Sequence, residues 1–261
     1  MSAADNVLVE VSGGVATVTL NRPERLNTLD MPTLDRLIEA LDEVAVDPEV
    51  RCVVLAGKGR CFCAGADIGE MQLRDPLQWQ DIVDHFLDPI RRLSDMDKPV
   101  IAKLHGDAVG CGFGLALACD MRVAAQGVRL RAPFVQLGLA GCDMAAGYFL
   151  PRMVGLGRAT EITMSGRFVG AEEAERIGLV TQVAPADELD AAVDGLAQSM
   201  ARGAPVALAF TKRAMRRSLD LTRAAEFDYE IFAQVQCLQT EDHREGVRAF
   251  LDKRQPEFRG A

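Results

Sequence analysis

Histidine, tryptophan and tyrosine are scarce in this chain, and positive charge is outnumbered. Its 261 residues include 3 histidines, 1 tryptophan and 2 tyrosines, and the formal net charge is -9. His85, His105 and His243 stand far apart in the sequence. They suggest neither a zinc site nor a catalytic triad. The acidic balance excludes a nucleic-acid face, because phosphate backbones demand clustered lysine and arginine. It leaves room for a phosphorylated small ligand, which needs only a few local cations. No apolar run approaches the roughly 20 residues that cross a bilayer. The start, Met-Ser-Ala-Ala-Asp-Asn, lacks the basic and apolar regions of a signal peptide. A cytoplasmic protein without membrane association is the expectation. The 7 cysteines are odd in number, and Cys61 and Cys63 form C-x-C rather than C-x-x-C. Reduced thiols are therefore expected, not disulfides or a bound metal. No Gly-x-Ser-x-Gly and no Gly-Lys-Ser/Thr occurs, so covalent serine hydrolysis and a P-loop are set aside.

Apolar residues make up 49% and charged residues 26%, enough for a sizeable core in an ordinary globular protein. Alternation over Val7–Val11 and Val15–Leu20, with Ser12-Gly13-Gly14 between, reads as a hairpin. A stripe at Leu34, Leu37, Ile38, Leu41 and Val44 reads as a helix, with Asp30 and Pro32 as its start signals. Residues 50–56 read as a buried parallel strand. A second helical stretch spans 77–93 and is expected to kink at Pro89. Further strands are expected at 100–104, 121–125 and 128–131. This alternation predicts an α/β architecture with crossover connections. Beyond residue 140 helices dominate, interrupted by one strand-like run at Leu179–Val183. The expected division is an α/β core over residues 1–195 and a helical C-terminal region over 196–261.

Two turns hold the chemistry. The first, Arg60-Cys-Phe-Cys-Ala-Gly-Ala-Asp-Ile-Gly-Glu-Met71, follows a strand and crowds small residues before Asp67. Asp67 stands where a helix N-cap belongs, or serves as a structural group. Such a turn leaves backbone N–H groups without internal partners. The second, His105-Gly106 to Cys119-Asp120, again places glycines between a strand and an apolar helix. Its third glycine falls at 114, one residue short of a dinucleotide fingerprint. Either turn alone could be close packing of helix on sheet. Together they can supply two convergent N–H donors, the requirement of an oxyanion hole.

Four separated segments carry a family resemblance. They are Asn21-Arg-Pro-Glu-Arg-Leu-Asn27, Phe62 to Met71, Gly106 to Asp120, and Glu172-Glu-Ala-Glu-Arg-Ile-Gly-Leu-Val180. In this order they resemble the enoyl-CoA hydratase/isomerase (crotonase) superfamily over nearly the whole chain. The resemblance implies a spiral of βαβ units and a helical C-terminal region that assembles homotrimers, commonly paired as hexamers. It implies acyl-CoA thioester substrates and no cofactor beyond the coenzyme A of the substrate. Their carbonyl oxygen would become an enolate held by the N–H groups of Ala66 and Cys111. Leu26, Ala64, Asp67 and Ile68 would line the CoA side. Arg25 and Lys253 would contact phosphate, although Lys253 reads equally well as a solvated surface lysine.

Hydratases of this superfamily position water with two glutamates. By alignment these fall on Gly114 and Phe134, neither of which can move a proton. Asp143, in an apolar run of small residues, is the candidate replacement, because burial would raise its pKa toward a useful range. The competing role for Asp143 is N-cap of a helix over Met144–Met153. Glu70 and Asp107 are weaker candidates. The implied reaction is hydration or isomerisation of an unsaturated acyl-CoA, with thioester or C–C hydrolysis as alternatives. A catalytically silent acyl-CoA-binding member is the reading from another class. Trp79, Leu87, Phe134 and Tyr148 are expected to wall the acyl pocket.

Overall fold

The computed structural model describes residues 3–70 and 74–261. The hairpin forms as read: β1 (Val7–Ser12) pairs antiparallel with β2 (Val15–Leu20). α1 (Met31–Val46) begins where its signals stand, with the Asp30 side chain accepting from the Thr33 N–H at 3.0 Å. Its stripe, Leu34, Leu37, Ile38, Leu41 and Val44, is buried as the 3.6-residue period requires. β3 (Cys52–Gly57) is buried along nearly its whole length, and the short β4 (Cys61–Cys63) follows. α2 (Pro76–Asp95) starts with a capping box between Asp75 and Gln78 and runs as one helix through Pro89.

β5 (Val100–Leu104) and β6 (Asp107–Val109) lead into α3 (Cys111–Ala118), every residue of which is buried. A helix apolar on all sides has to lie inside the protein. β7 (Met121–Ala125) and β8 (Arg129–Arg131) follow, then α4 (Ala146–Val154) and α5 (Leu156–Ser165). β9 (Val169–Gly170), α6 (Ala171–Arg176) and β10 (Gln182–Ala184) close the α/β part. The strand expected at Leu179–Val183 sits later in the chain, because residues 179–181 form the bend after α6. α7 (Leu189–Ala201), α8 (Pro205–Arg217), α9 (Arg223–Leu238) and α10 (Glu241–Asp252) complete the chain.

Two sheets result. The larger has the order β1-β2-β3-β5-β7-β10, parallel except for the hairpin. The smaller has the order β4-β6-β8-β9. Each of β3, β5 and β7 is continued by one short strand of the second sheet, so the chain alternates between sheets as it winds through its βαβ turns. This is the expected α/β spiral. The three short strands β4, β6 and β9 escaped the sequence reading because two or three residues carry no periodic signal.

The boundary expected after residue 195 falls within α7, whose Val193 and Ala197 are both buried. Farther on, Lys212 of α8 reaches into the core. Its ammonium donates to Asp120 at 2.9 Å and to the carbonyls of Leu93 and Lys98 at 3.0 and 3.1 Å. Arg216 takes the other Asp120 oxygen at 2.9 Å. A charge this buried is tolerated only with all its donors met, so the contact fixes α8 against the sheet. Among the described residues no helix is long and apolar enough to cross a membrane.

Candidate active site

The first turn is held by its flanks. Leu29 donates its N–H to the Gly65 carbonyl and accepts from the Asp67 N–H, both at 2.9 Å. These two bonds bracket Ala66 in a parallel bridge. The N–H of Ala66 therefore points away from Leu29, and among the described residues no backbone acceptor takes it. Asn27 anchors the same region from below. It is fully buried, and its side-chain amide donates to the carbonyls of Lys58, Cys61 and Phe62 at 2.9, 2.7 and 3.1 Å. The turn opens into a 3-10 turn over Ile68–Glu70, not an α-helix. Asp67 caps only this turn, accepting from the Gly69 N–H at 3.1 Å. Met71, the last residue of the motif, lies outside the described residues.

The second turn meets the first. Gly110 adopts φ 56° and ψ -119°, a conformation that side chains disfavour. It places Cys111 at the start of α3 without a side-chain cap. Gly65, at φ 109°, lies beside it, so close that a Cβ there would stand 3.7 Å from the Cys111 nitrogen. The Cys111 thiol lies among these groups. Burial, then the neighbouring Cys63 and Asp143, push that thiol well above its ordinary pKa, while the N–H groups of Ala66 and Cys111 pull it down. Cys111 thus stands at the uncapped, positive end of a buried helix.

Around this spot lies a cavity of about 500 Å³. Ala64, Ala66, Asp67, Ile68, Cys111 and Asp143 all line it, as does Phe134. One wall is α2, through Trp79, Ile82, Val83 and Phe86, which recur at helical spacing. Of the expected wall, Trp79 and Phe134 are in place, whereas Leu87 and Tyr148 are corrections. Leu87 turns to the core one position round the helix from Phe86. Tyr148 is exposed and donates its hydroxyl to Asp220 at 2.6 Å. The structure does not bring Arg25 or Lys253 to this cavity. Arg25 ends an exposed 3-10 turn, and Lys253 closes α10 in a left-handed conformation at the surface. Leu26 lines a separate cleft with Arg60, His105 and Arg129. Asp107, the other weak candidate, is engaged by Arg129 at 2.6 Å.

Asp143 does not cap a helix. α4 begins at Ala146, three residues later, and its first turn has no side-chain cap. The Asp143 carboxylate accepts from the Met144 N–H at 2.8 Å. Burial in the apolar cavity raises its pKa, and the Met144 bond only partly opposes this. The two residues after it, Met144 and Ala145, both adopt left-handed conformations, at φ 50° and 58°. Such strain persists only where neighbours enforce it. Gly114 is one of those neighbours. A Cβ at position 114 would stand 2.6 Å from the Met144 carbonyl oxygen and 2.8 Å from the Met144 Cβ. The turn that carries Asp143 therefore occupies the space a side chain at 114 would need. Met144, Phe86 and Arg74 also line the cavity and were not singled out from sequence. Phe86 belongs to the helical stretch expected over 77–93, where periodicity alone does not separate cavity from core, and Arg74 lies outside any periodic element.

The sequence pattern of the family described as enoyl-CoA hydratase/isomerase matches residues 10–261. A short-chain-enoyl-CoA hydratase of Clostridium acetobutylicum is 36% identical over 256 residues, covering 97% of each chain. A 1,2-epoxyphenylacetyl-CoA isomerase of Escherichia coli is 36% identical over 258 residues, covering 97% of this chain and 98% of that one. The crystal structure of an enoyl-CoA hydratase from Bacillus anthracis superposes with a TM-score of 0.94 at 31% identity, covering 98% of this chain and all of that one. With the fold, both glycine turns and these relatives in agreement, the chain belongs to the enoyl-CoA hydratase/isomerase family and is an enzyme of the hydratase/isomerase type.

Proposed function

We propose that this enzyme moves a double bond along an acyl-CoA thioester through an enolate, with Asp143 as the single proton carrier. The observation that carries the reading is one carboxylate of raised pKa in an apolar cavity that Ala66 and Cys111 also line, neither of whose N–H groups donates to a described backbone carbonyl. The thioester carbonyl oxygen sits between the N–H groups of Ala66 and Cys111. The Asp143 carboxylate removes the α-proton of a β,γ-unsaturated acyl group. The C–H electrons pass into the conjugated system, and charge collects on the held oxygen, where fixed donors stabilise it without reorganisation. The same carboxyl then returns its proton to the γ-carbon. One acid suffices, because no water enters the reaction. A carboxyl whose pKa is raised is better matched to both halves of this transfer.

Water addition fits less well. It calls for groups that hold and activate a water molecule, and the two aligned positions are Gly114 and the buried apolar Phe134. Gly114→Glu is therefore expected not to install hydratase activity. The new side chain collides with the Met144 backbone, and overpacking of this kind costs about 1–3 kcal/mol. It displaces the Asp143 turn, for a loss of roughly tenfold to a hundredfold in turnover. A Gly114→Glu protein that adds water faster than wild type refutes this account.

The test of the function is incubation with matched β,γ- and α,β-unsaturated acyl-CoA thioesters in D2O. Double-bond migration with deuterium at the α- and γ-carbons supports the reading. A 3-hydroxyacyl-CoA as the main product supports hydration instead. No exchange on any substrate supports the silent binder.

Self-association as a homotrimer or hexamer is proposed on the apolar face of α9 and α10. Phe227, Ile231, Phe232, Val235, Leu238, Phe250 and Leu251 are all exposed there. A patch of that size marks an interface more often than a free surface. Sedimentation velocity should give a species of three or six chains, and a monomer at micromolar concentration would refute the proposal.

A further inference from the structure

Arg74 is the one cation among the residues lining the 500 Å³ cavity. Its guanidinium lies over the Trp79 ring, 5.3 Å from the centroid. That contact steadies the charge but offers no acceptor oxygen. No carboxylate among the described side chains forms an ion pair with it. Asp75, the next residue, accepts from the N–H groups of Leu77 and Gln78 at 2.9 and 3.0 Å, and Asp67 turns back to the Gly69 N–H. The five N–H donors of Arg74 are thus unmet by the described side chains, in a cavity whose other lining is overwhelmingly apolar.

Its position along the wall matters as much as its charge. α2 lines the cavity from Trp79 to Phe86. At its inner part Ile90 packs on Gly114, with its Cδ1 3.1 Å from a Cβ built there, directly beside the Met144 turn that holds Asp143. Trp79 is eleven residues earlier, which at 1.5 Å per residue is roughly 16 Å along the axis. Arg74 precedes the helix and stacks on Trp79, so it stands at the Trp79 end of this helix, away from Ile90 and the Met144 turn. Between them α2 presents only apolar side chains, Ile82, Val83 and Phe86.

We infer that Arg74 is a specificity residue that reads a carboxylate at the distal end of the acyl group. The preferred substrates are then ω-carboxyacyl-CoA thioesters, whose chain follows the apolar wall and whose terminus meets the guanidinium. A planar fork of donors matches a carboxylate with two parallel bonds, an arrangement lysine cannot reproduce. The inference rests on the cavity being the acyl site, as proposed above. The same anionic chemistry occurs in the phosphates of coenzyme A, so the test separates the two sources.

Binding is measured calorimetrically on the whole protein with three non-reacting probes. These are free coenzyme A, a saturated methyl-ended acyl-CoA, and a saturated ω-carboxyacyl-CoA of equal length. Wild type is compared with Arg74→Gln and Arg74→Lys. The expected result is a loss on the order of tenfold to a hundredfold for the ω-carboxyl probe in Arg74→Gln. Arg74→Lys recovers only part of it, and the other two probes stay within about twofold. Equal losses on all three probes would place Arg74 on the coenzyme A phosphates and overturn the inference. Equal losses on the two acyl probes alone, or no loss at all, also overturn it. If neither acyl probe binds wild type more tightly than free coenzyme A, the acyl-site reading itself fails and takes this inference with it. If the methyl-ended probe binds tightly and Arg74 makes no difference, only the inference fails.

Discussion

Asp143→Asn loses at least a hundredfold in turnover while the protein stays folded, because asparagine can neither take nor return a proton. Positioned acid–base groups contribute roughly 10²–10⁴ in rate. Asparagine keeps the shape and can still accept the Met144 N–H bond seen at 2.8 Å. The sign of the stability effect separates this from a structural role. Burial raises the folded-state pKa of Asp143, so the folded protein binds this proton more tightly than the unfolded chain. The group therefore favours folding below the ordinary aspartate pKa of about 3.9. That contribution is lost as pH rises from there through the raised folded value. At neutral pH the buried charge is a burden that asparagine removes, so the variant should be at least as resistant to urea as wild type. In the wild-type pH–rate profile, kcat/KM should climb through an acid limb above the ordinary aspartate range, and the variant should lack that limb. A variant with unchanged turnover, or with lost activity and a collapsed melting temperature, would remove the proton-carrier role.

Ala66→Pro is expected to cost roughly 10²–10³ in kcat, the loss typical of deleting one oxyanion donor. Proline removes the N–H, and here the backbone pairing around it survives. The bridge to Leu29 uses the Gly65 carbonyl and the Asp67 N–H, not the nitrogen of residue 66. Ala66→Gly is the control, since it keeps the donor and should remain close to wild type. The readout is kcat with matched circular dichroism of all three proteins. Full activity in the proline variant would mean that the thioester oxygen is held elsewhere. The Cys111 donor survives any change of its side chain, which is why cysteine is tolerated at a position flanked by Gly110 and Gly112.

The long helices and the hairpin strands were legible because each repeats a period of 3.6 or 2 over enough residues to stand out, and β3 and α3 because they are unbroken apolar runs beside turn residues. The two glycine turns were legible for a different reason. Small residues and glycines crowded directly after a strand mark a tight turn within a few positions of sequence. Asp143 could be named from its apolar neighbours, but its role as a cap could not be dismissed from sequence. A cap depends on where α4 begins, and that is set by the left-handed Met144 and Ala145 pressed against Gly114. The cavity wall was legible only in part. Phe86 and Leu87 are adjacent, both apolar and both half-buried, and only the docking of α2 on α3 decides that Phe86 faces the cavity. Arg74 is farther still from any local signal. Its meaning comes from the absence of a described acidic partner around it and from its place in the cavity that Asp143 also lines, and both arise only when elements far apart in the chain are packed together. Periodicity and turn chemistry act over a few residues and can be read from them, whereas the shape and charge of a cavity belong to no single segment.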